Sequence, residues 1–279
     1  MPTQTPDYGR TVRDYARFRP EYPVELYERL ARHFGVGVAD QRVLDIGTGS
    51  GLVARGLARR GAIVTGLDPS PELLQEAARL AADEQLGVRF VRGTAESTGL
   101  PDASFDVATA AVCWHWFDAP RAAAEIRRVL VPGGRLIIIH FEWLSRPGDV
   151  VDATEELLRT HRSTIPGRRI AEKLAHTVIS RLHPALARHV GTGVHPDRLA
   201  TLWSCGYRDL ESFSFDVDVP YRHEAWRGRI RSHAWAAATA AEDRVSRLDG
   251  ALAQMLRERY PEEPLHIPHR VFVVTGRTG

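Results

Sequence analysis

Short apolar runs alternate with stretches of helical spacing from residue 24 to residue 143. That alternation is the pattern of a parallel sheet covered on both faces. Arg42–Ile46, Ile63–Leu67, Val88–Arg92, Phe105–Ala111 and Arg135–His140 read as strands. Val24–Phe34, Leu52–Arg60, a segment opened by Pro71, and Pro120–Leu130 read as helices. Pro71 suits a first helical turn, where no backbone donor is needed. Val131-Pro-Gly-Gly predicts a turn into the fifth strand, whose three isoleucines mark a strand buried on both faces.

After residue 144 the pattern changes. Residues 145–195 carry scattered prolines, arginines and histidines, with helical spacing at Ala153–Thr160 and Ala171–Leu182. Asp197–Cys205 predicts a helix stopped by Gly206, followed by a strand near Glu211–Val219. A long helical segment over Trp226–Tyr260 precedes a last strand at Arg270–Thr275. The chain therefore divides into a covering segment with the first helix (1–40), a core (41–144), an insertion (145–195) and a C-terminal part (196–279) with a helical insertion at 222–260. The two insertions are expected to form one helical cap over the carboxyl ends of the strands, where ligands of open α/β sheets sit.

The first strand carries the strongest chemical signal. Val43, Leu44 and Ile46 are apolar, and Gly47, Gly49 and Gly51 end the strand at alternate positions before a helix begins. Such a turn lets backbone touch a ligand closely, because no Cβ intervenes. About 20 residues further on, the second strand ends in Asp68, placed to accept hydrogen bonds from ribose hydroxyls. A dinucleotide fingerprint wants G-x-G-x-x-G. Here the spacing is G-x-G-x-G, and Asp45 lies inside the strand, where a carboxylate repels pyrophosphate but suits an ammonium group. An NAD-dependent oxidoreductase is disfavoured on both counts.

Val43 to Gly51 resembles the first motif of the class I S-adenosylmethionine-dependent methyltransferases. Phe90-Val-Arg-Gly-Thr-Ala-Glu, Leu100-Pro-Asp-Ala-Ser-Phe-Asp and Leu130-Val-Pro-Gly-Gly resemble later motifs of that family, in the same order. Tyr15-Ala-Arg-Phe-Arg-Pro-Glu-Tyr-Pro is similar to the N-terminal segment of its small-molecule members, akin to trans-aconitate and ubiquinone-pathway enzymes. The likeness covers roughly residues 8–143 and implies a Rossmann-like, seven-stranded, mostly parallel sheet with helices on both faces. It implies S-adenosyl-L-methionine as cofactor. Gly47, Thr48 and Gly49 would approach its amino acid end near Asp45. Asp68 would take the ribose, Leu67 or Pro69 would lie against adenine, Ala95 and Glu96 by the adenine edge, and Ala111 beneath. Tyr15 or Arg19 would meet the methionine carboxylate. In the family a tight hairpin joins the last two strands, whereas here about 50 residues intervene, which departs from the pattern.

Strand four runs into Cys113-Trp-His-Trp-Phe-Asp, resembling the His-Trp-Phe-Asp run of the aconitate-methyltransferase-like group. The chain has no asparagine, and so lacks the Asn-Pro-Pro-aromatic run of many nitrogen methylases. His115 is the candidate catalytic residue: near its unperturbed pKa of about 6.5, it could take a proton from an acceptor hydroxyl. The acceptor pocket is expected from Trp116, His140, Glu142, Trp143 and the cap residues Trp226, Arg229 and Arg231. Arginines suit planar carboxylates, so a small acidic acceptor follows, with O-methylation favoured over N- or C-methylation. Positioning rather than a catalytic group should carry an in-line methyl displacement.

Composition narrows the alternatives. The net charge is +2 and Lys173 is the only lysine, which argues against nucleic acid as a partner. An RNA methylase and a non-catalytic cofactor-binding regulator stay open as alternatives. No apolar run is long enough to cross a membrane, and Met1–Arg10 lacks the apolar core of a signal peptide. Cys113 and Cys205 show no metal spacing and read as reduced thiols of a cytoplasmic protein. No metal is expected; His266 and His269 form the weak exception. Oligomeric state is not legible.

Overall fold

The computed structural model describes residues 12–162, 193–232 and 242–279. The expected helix at Ala171–Leu182, most of the 145–195 insertion and the polar segment Met1–Arg10 lie outside the described residues. Within them, seven strands form one sheet: β1 (Arg42–Ile46), β2 (Ile63–Asp68), β3 (Arg89–Arg92), β4 (Phe105–Ala111), β5 (Leu130–Trp143), β6 (Arg208–Tyr221) and β7 (Leu265–Arg277). Their spatial order is β3-β2-β1-β4-β5-β7-β6. The first five run parallel, and β7 is antiparallel to both β5 and β6. The Rossmann-like, mostly parallel sheet read from the sequence is the one observed.

The strand order reverses direction between β1 and β4, which places a ligand crevice outside their carboxyl ends. Two apolar layers cover the sheet. On one side α2 (Val24–Phe34) and α3 (Leu52–Ala58) bury Leu26, Leu30, Val53 and Leu57 against Val43, Val64, Ile137 and Ile139. On the other, α5 (Ala119–Val129) and α7 (Asp197–Ser204) bury Ile126, Val129 and Leu202 against Leu44, Ile46 and Ile138. Alternation along β1 and β5 thus feeds both layers, as a doubly covered strand requires. Between β2 and β3, α4 (Pro71–Asp83) starts on Ser70, whose hydroxyl accepts from the Leu73 amide.

A third apolar cluster belongs to the cap. Here α6 (Val150–Arg162), α8 (His223–Arg231) and α9 (Glu242–Arg259) enclose Val151, Leu158, Trp226, Ile230, Leu252 and Leu256 with Tyr221, Leu265 and Ile267 from the strand ends. Two expectations are corrected here. The continuous helix expected at Trp226–Tyr260 consists of α8 and α9, with 233–241 outside the described residues. The last strands are also longer than their apolar cores predicted, and β5 runs on to Trp143, because β7 pairs with it as far as Trp143↔His269. Backbone pairing in this ribbon continues where side-chain alternation no longer marks it.

The N-terminal segment holds a further difference. It is extended at Pro20–Pro23 as expected, but a short helix, α1 (Val12–Phe18), precedes that stretch. Asp14 of α1 accepts two hydrogen bonds from Arg231 of α8, at 2.7 and 3.3 Å, and Arg231 also donates to Asp249. This docks α1 onto the cap. No described helix is long and apolar enough to cross a membrane.

The packing of α2 on α3 has one position with no slack. A methyl group at Gly56 would run into the Tyr27 hydroxyl, and Tyr27 is 6% exposed. Gly56→Ala should therefore destabilise the protein by about 1–3 kcal/mol of overpacking, partly offset by about 1 kcal/mol of helix propensity. Urea unfolding checks this; a variant more stable than the parent would contradict it.

Candidate cofactor and acceptor site

Three glycines in the left-handed region shape the turn after β1, with φ of +63° at Gly47 and +55° at Gly49. At Gly47 a Cβ would lie 2.8 Å from the Cys113 sulfur, and at Gly49 one would lie 3.3 Å from the Tyr15 hydroxyl. Side chains are thus excluded by space as well as by φ. The turn is tied to its neighbours. Thr48 N–H donates to the Leu67 carbonyl at 3.0 Å, and Gly49 N–H donates to Asp68 Oδ2 at 3.0 Å. Asp68 Oδ1 accepts from Ser70 N–H at 2.9 Å. Each carboxylate oxygen can accept further hydrogen bonds, so Asp68 retains capacity for a ribose. Burial raises its pKa, and the two backbone donors pull the other way.

Asp45 is placed differently from the expected open contact with an ammonium group. It is 1% exposed. Its Oδ2 accepts from Thr48 Oγ1 and its Oδ1 from Thr109 Oγ1, both at 2.6 Å. The carboxylate therefore staples the turn to β4. Burial raises its pKa to about 6, against the hydroxyls of Thr109 and Thr48, so it is ionised at neutral pH.

Tyr15 roofs the turn, and the Arg19 guanidinium lies 4.5 Å from the centre of its ring. Pro69 follows Asp68 at the surface, and its carbonyl accepts from Arg92 Nε at 3.3 Å. Ala95 is buried in the loop after β3. Glu96 beside it accepts from the Asp118 amide at 2.9 Å, which ties this loop to the start of α5. Ala111 ends β4, and the Val112 amide donates to the Ile139 carbonyl at 2.8 Å.

On the acceptor side, the cysteine-to-aspartate run forms a single 3-10 turn, Trp114–Trp116. Trp114 is buried, while His115 is exposed and leans on Trp116 with ring centres 4.7 Å apart. Although the ring reaches solvent, the surrounding protein lowers the His115 pKa to about 4, chiefly by burial and then through His140 and Arg198. This corrects the expected value near 6.5: His115 stays neutral through the physiological range. Next to it, the His140 and His195 rings stack at 3.9 Å, and both approach Glu142 Oε1. His195 was not singled out in the sequence. It lies in the irregular stretch just before α7, with no motif around it, and only the fold brings it to β5.

The cap residues also sort themselves. Trp226 is fully buried, donates Nε1–H to Thr154 at 3.1 Å, and packs edge-on to Trp143 and Tyr221. It is a cap-core residue, and the expected contact with acceptor is corrected accordingly. Arg231 is likewise committed to Asp14 and Asp249. The weak metal pair dissolves: His266 is exposed while His269 is 1% exposed, its Nδ1 within 2.9 Å of the Ile267 carbonyl.

Arg229 remains. It is 6% exposed, stands 4.8 Å from the Trp143 ring centre, and its Nε and Nη1 have no hydrogen-bond partner among the described residues. Burial lowers its pKa to about 9 and nearby Arg19 adds to this, while Tyr221 and Tyr15 oppose the shift. The side chain is still a cation at neutral pH. Arg19 Nε and His269 Nε2 are also buried without partners among the described residues, and the Tyr221 hydroxyl lies beside Arg229.

Residues 44–138 match the family model described as a methyltransferase domain. An uncharacterized methyltransferase of Mycobacterium tuberculosis is 36% identical over 165 residues, covering 57% of this chain and 64% of that relative. The chain thus spans less than two thirds of that relative's length. A demethylmenaquinone methyltransferase of Thermus thermophilus is 39% identical over 118 residues, covering 41% of this chain and 54% of that one. A solved structure from Anaeromyxobacter dehalogenans, described as a type II methyltransferase, superposes with a TM-score of 0.57 at 29% identity. The match covers 93% of this chain and 98% of that one.

The Asp45 staple has a pH signature. A native pKa of about 6, above the ordinary 3.8, means the folded protein holds this proton more tightly than the unfolded chain. Stability from this group is present below the ordinary value and lost as pH rises through about 6. Relative to Asp45→Asn, the wild type should lose about 3 kcal/mol between roughly pH 4 and pH 7. Denaturant unfolding at the two pH values measures it; parallel curves would contradict the assignment.

Proposed function

We propose that this chain, whose residues 44–138 match a methyltransferase domain, is a class I enzyme that transfers a methyl group from S-adenosylmethionine to a small acceptor carrying a carboxylate. The observation that supports the acidic acceptor is Arg229, a buried cation that among the described residues has no ion-pair partner and two unpartnered nitrogens. Leaving such a group unpaired is expensive. A bound carboxylate would satisfy it, with the Tyr221 hydroxyl as a further donor.

The residues present fit the cofactor. Gly47 and Gly49 leave the backbone of the turn bare of side chains, and Asp68 has lone pairs to spare for ribose hydroxyls. Asp45 is a buried negative charge behind the turn, suited to an ammonium group through Thr48 rather than by open contact. Ala95 and Pro69 offer apolar contact for adenine, with Glu96 at its edge and Ala111 beneath. Tyr15 and Arg19 cover the site, Arg19 being the cation for the methionine carboxylate. When bound, S-adenosylmethionine supplies a methyl group on a sulfonium sulfur, which an acceptor heteroatom takes by in-line displacement, leaving S-adenosylhomocysteine.

This chain's own contribution is then positioning and exclusion of water. Tyr15 over the glycine turn and Trp143 beside Arg229 would shield the reacting groups from water, and Arg229 would orient the acceptor by its anionic end. Holding reactants aligned can account for much of the acceleration. His115, neutral at physiological pH, can accept a hydrogen bond from an acceptor hydroxyl; with a pKa of about 4 it is a weak base. An acceptor that is already ionised, or whose oxygen attacks as a carboxylate, asks no more of it. O-methylation is the reading this favours.

Two outcomes test the reading. Asp68→Ala should weaken S-adenosylhomocysteine binding by about 1–3 kcal/mol in titration calorimetry, and unchanged affinity would defeat the ribose assignment. A panel of small carboxylic acids and their neutral amides, assayed with methyl-labelled cofactor, should show transfer to acids. Arg229→Gln should raise KM for such an acid by roughly 10- to 100-fold, the worth of a charge-assisted hydrogen bond, with cofactor affinity unchanged. Better turnover of the neutral amides, insensitive to Arg229→Gln, would contradict the acidic acceptor.

A further inference from the structure

His140, Glu142 and His195 bring three donor atoms within 4.8 Å of one another. His140 Nδ1 lies 3.4 Å and His195 Nε2 lies 3.3 Å from the same oxygen, Glu142 Oε1. Ligands about 2.0–2.1 Å from a tetrahedral zinc ion are spaced roughly 3.3 Å apart, so two of the three edges already have the required length. The donors also differ in mobility. His140 is 2% exposed on β5, within the rigid sheet, while the Glu142 and His195 side chains are 39% and 27% exposed. One wall is fixed and one side is open to solvent, which gives an ion its way in.

From this geometry we propose that His140, Glu142 and His195 form a binding site for a divalent first-row transition ion of the zinc type, at the acceptor side of the crevice next to His115. Two imidazoles and one carboxylate are a donor set for zinc, cobalt or iron rather than for magnesium or calcium, which prefer oxygen. Three protein ligands leave a coordination position for water or an acceptor oxygen. The paired rings must unstack for both nitrogens to point at one ion, and His195, on the loop before α7, is the more exposed of the two. Arg198 is the unfavourable charge in the vicinity, and Asp197 pairs with it at 3.0 Å.

The metal site stands on these donors alone and does not depend on methyl transfer. The test is titration of the chelator-stripped full chain with Zn²⁺ by calorimetry, and with Co²⁺ by visible absorption. The site predicts one ion per chain at micromolar affinity or tighter, with the intense ligand-field bands of a tetrahedral cobalt centre. His195→Gln and Glu142→Gln, both on the solvent side and so compatible with folding, should each weaken it by at least ~10-fold. Thermal unfolding should show the metal stabilising the parent but not the variants. No stoichiometric binding, or binding that neither substitution weakens, would overturn the site and assign any residual uptake to the other histidines. Loss of S-adenosylhomocysteine binding with the metal site intact would count against the cofactor reading alone.

Discussion

The buried carboxylate of Asp45 is the constraint on which the site depends. It sits at the point where the strand order diverges, and its two oxygens reach in different directions, one to Thr48 in the glycine turn and one to Thr109 on β4. Glycines make the turn possible but do not hold it, since their freedom is a cost to order. The staple supplies the order, and Asp68 repeats the device one strand away by gripping the Gly49 amide. Two acids, each satisfied by hydroxyls or amides rather than by cations, thereby fix a concave backbone surface with net negative character. That character suits a cationic ligand end and a ribose.

Around this fixed floor the walls come from elements that meet only in the fold. Arg231 and Asp14 hold α1 against the cap, and Tyr15 on α1 then lies over Gly49. The antiparallel ribbon carries Trp143, Tyr221 and His269 beyond the parallel sheet, and Arg229 of α8 packs among them. The result is a pair of carboxylates at the glycine turn and a buried guanidinium at the ribbon ends, a division of charge that supports the proposed cationic cofactor and anionic acceptor.

The local parts of this arrangement were legible in the chain. The β1 apolar run, the glycine spacing and Asp68 lie within about 20 residues of each other, and short-range pattern governs them. The helix spans α2 and α7 were equally readable, since a proline or glycine punctuates them. What escaped were features set by distant contacts. His195 reads as one histidine among twelve until the fold brings it to β5. Trp226 looked like a pocket aromatic, but the cap needed it as core. Arg229 and Arg231 looked equivalent on one helix, and only the positions of Asp14 and Asp249 show which of them is already neutralised. The His115 pKa also depends on how much protein surrounds it, which sequence does not state.

Centrally, we propose that the glycine turn and Asp68 hold the adenosyl cofactor. Titration calorimetry of the purified protein with S-adenosylhomocysteine, with NAD as the control, tests this most directly. Micromolar binding of the first at one site per chain, and none of the second, is the predicted result. Binding of NAD in preference, or of neither ligand even with small carboxylic acids present to fill the Arg229 end, would contradict it.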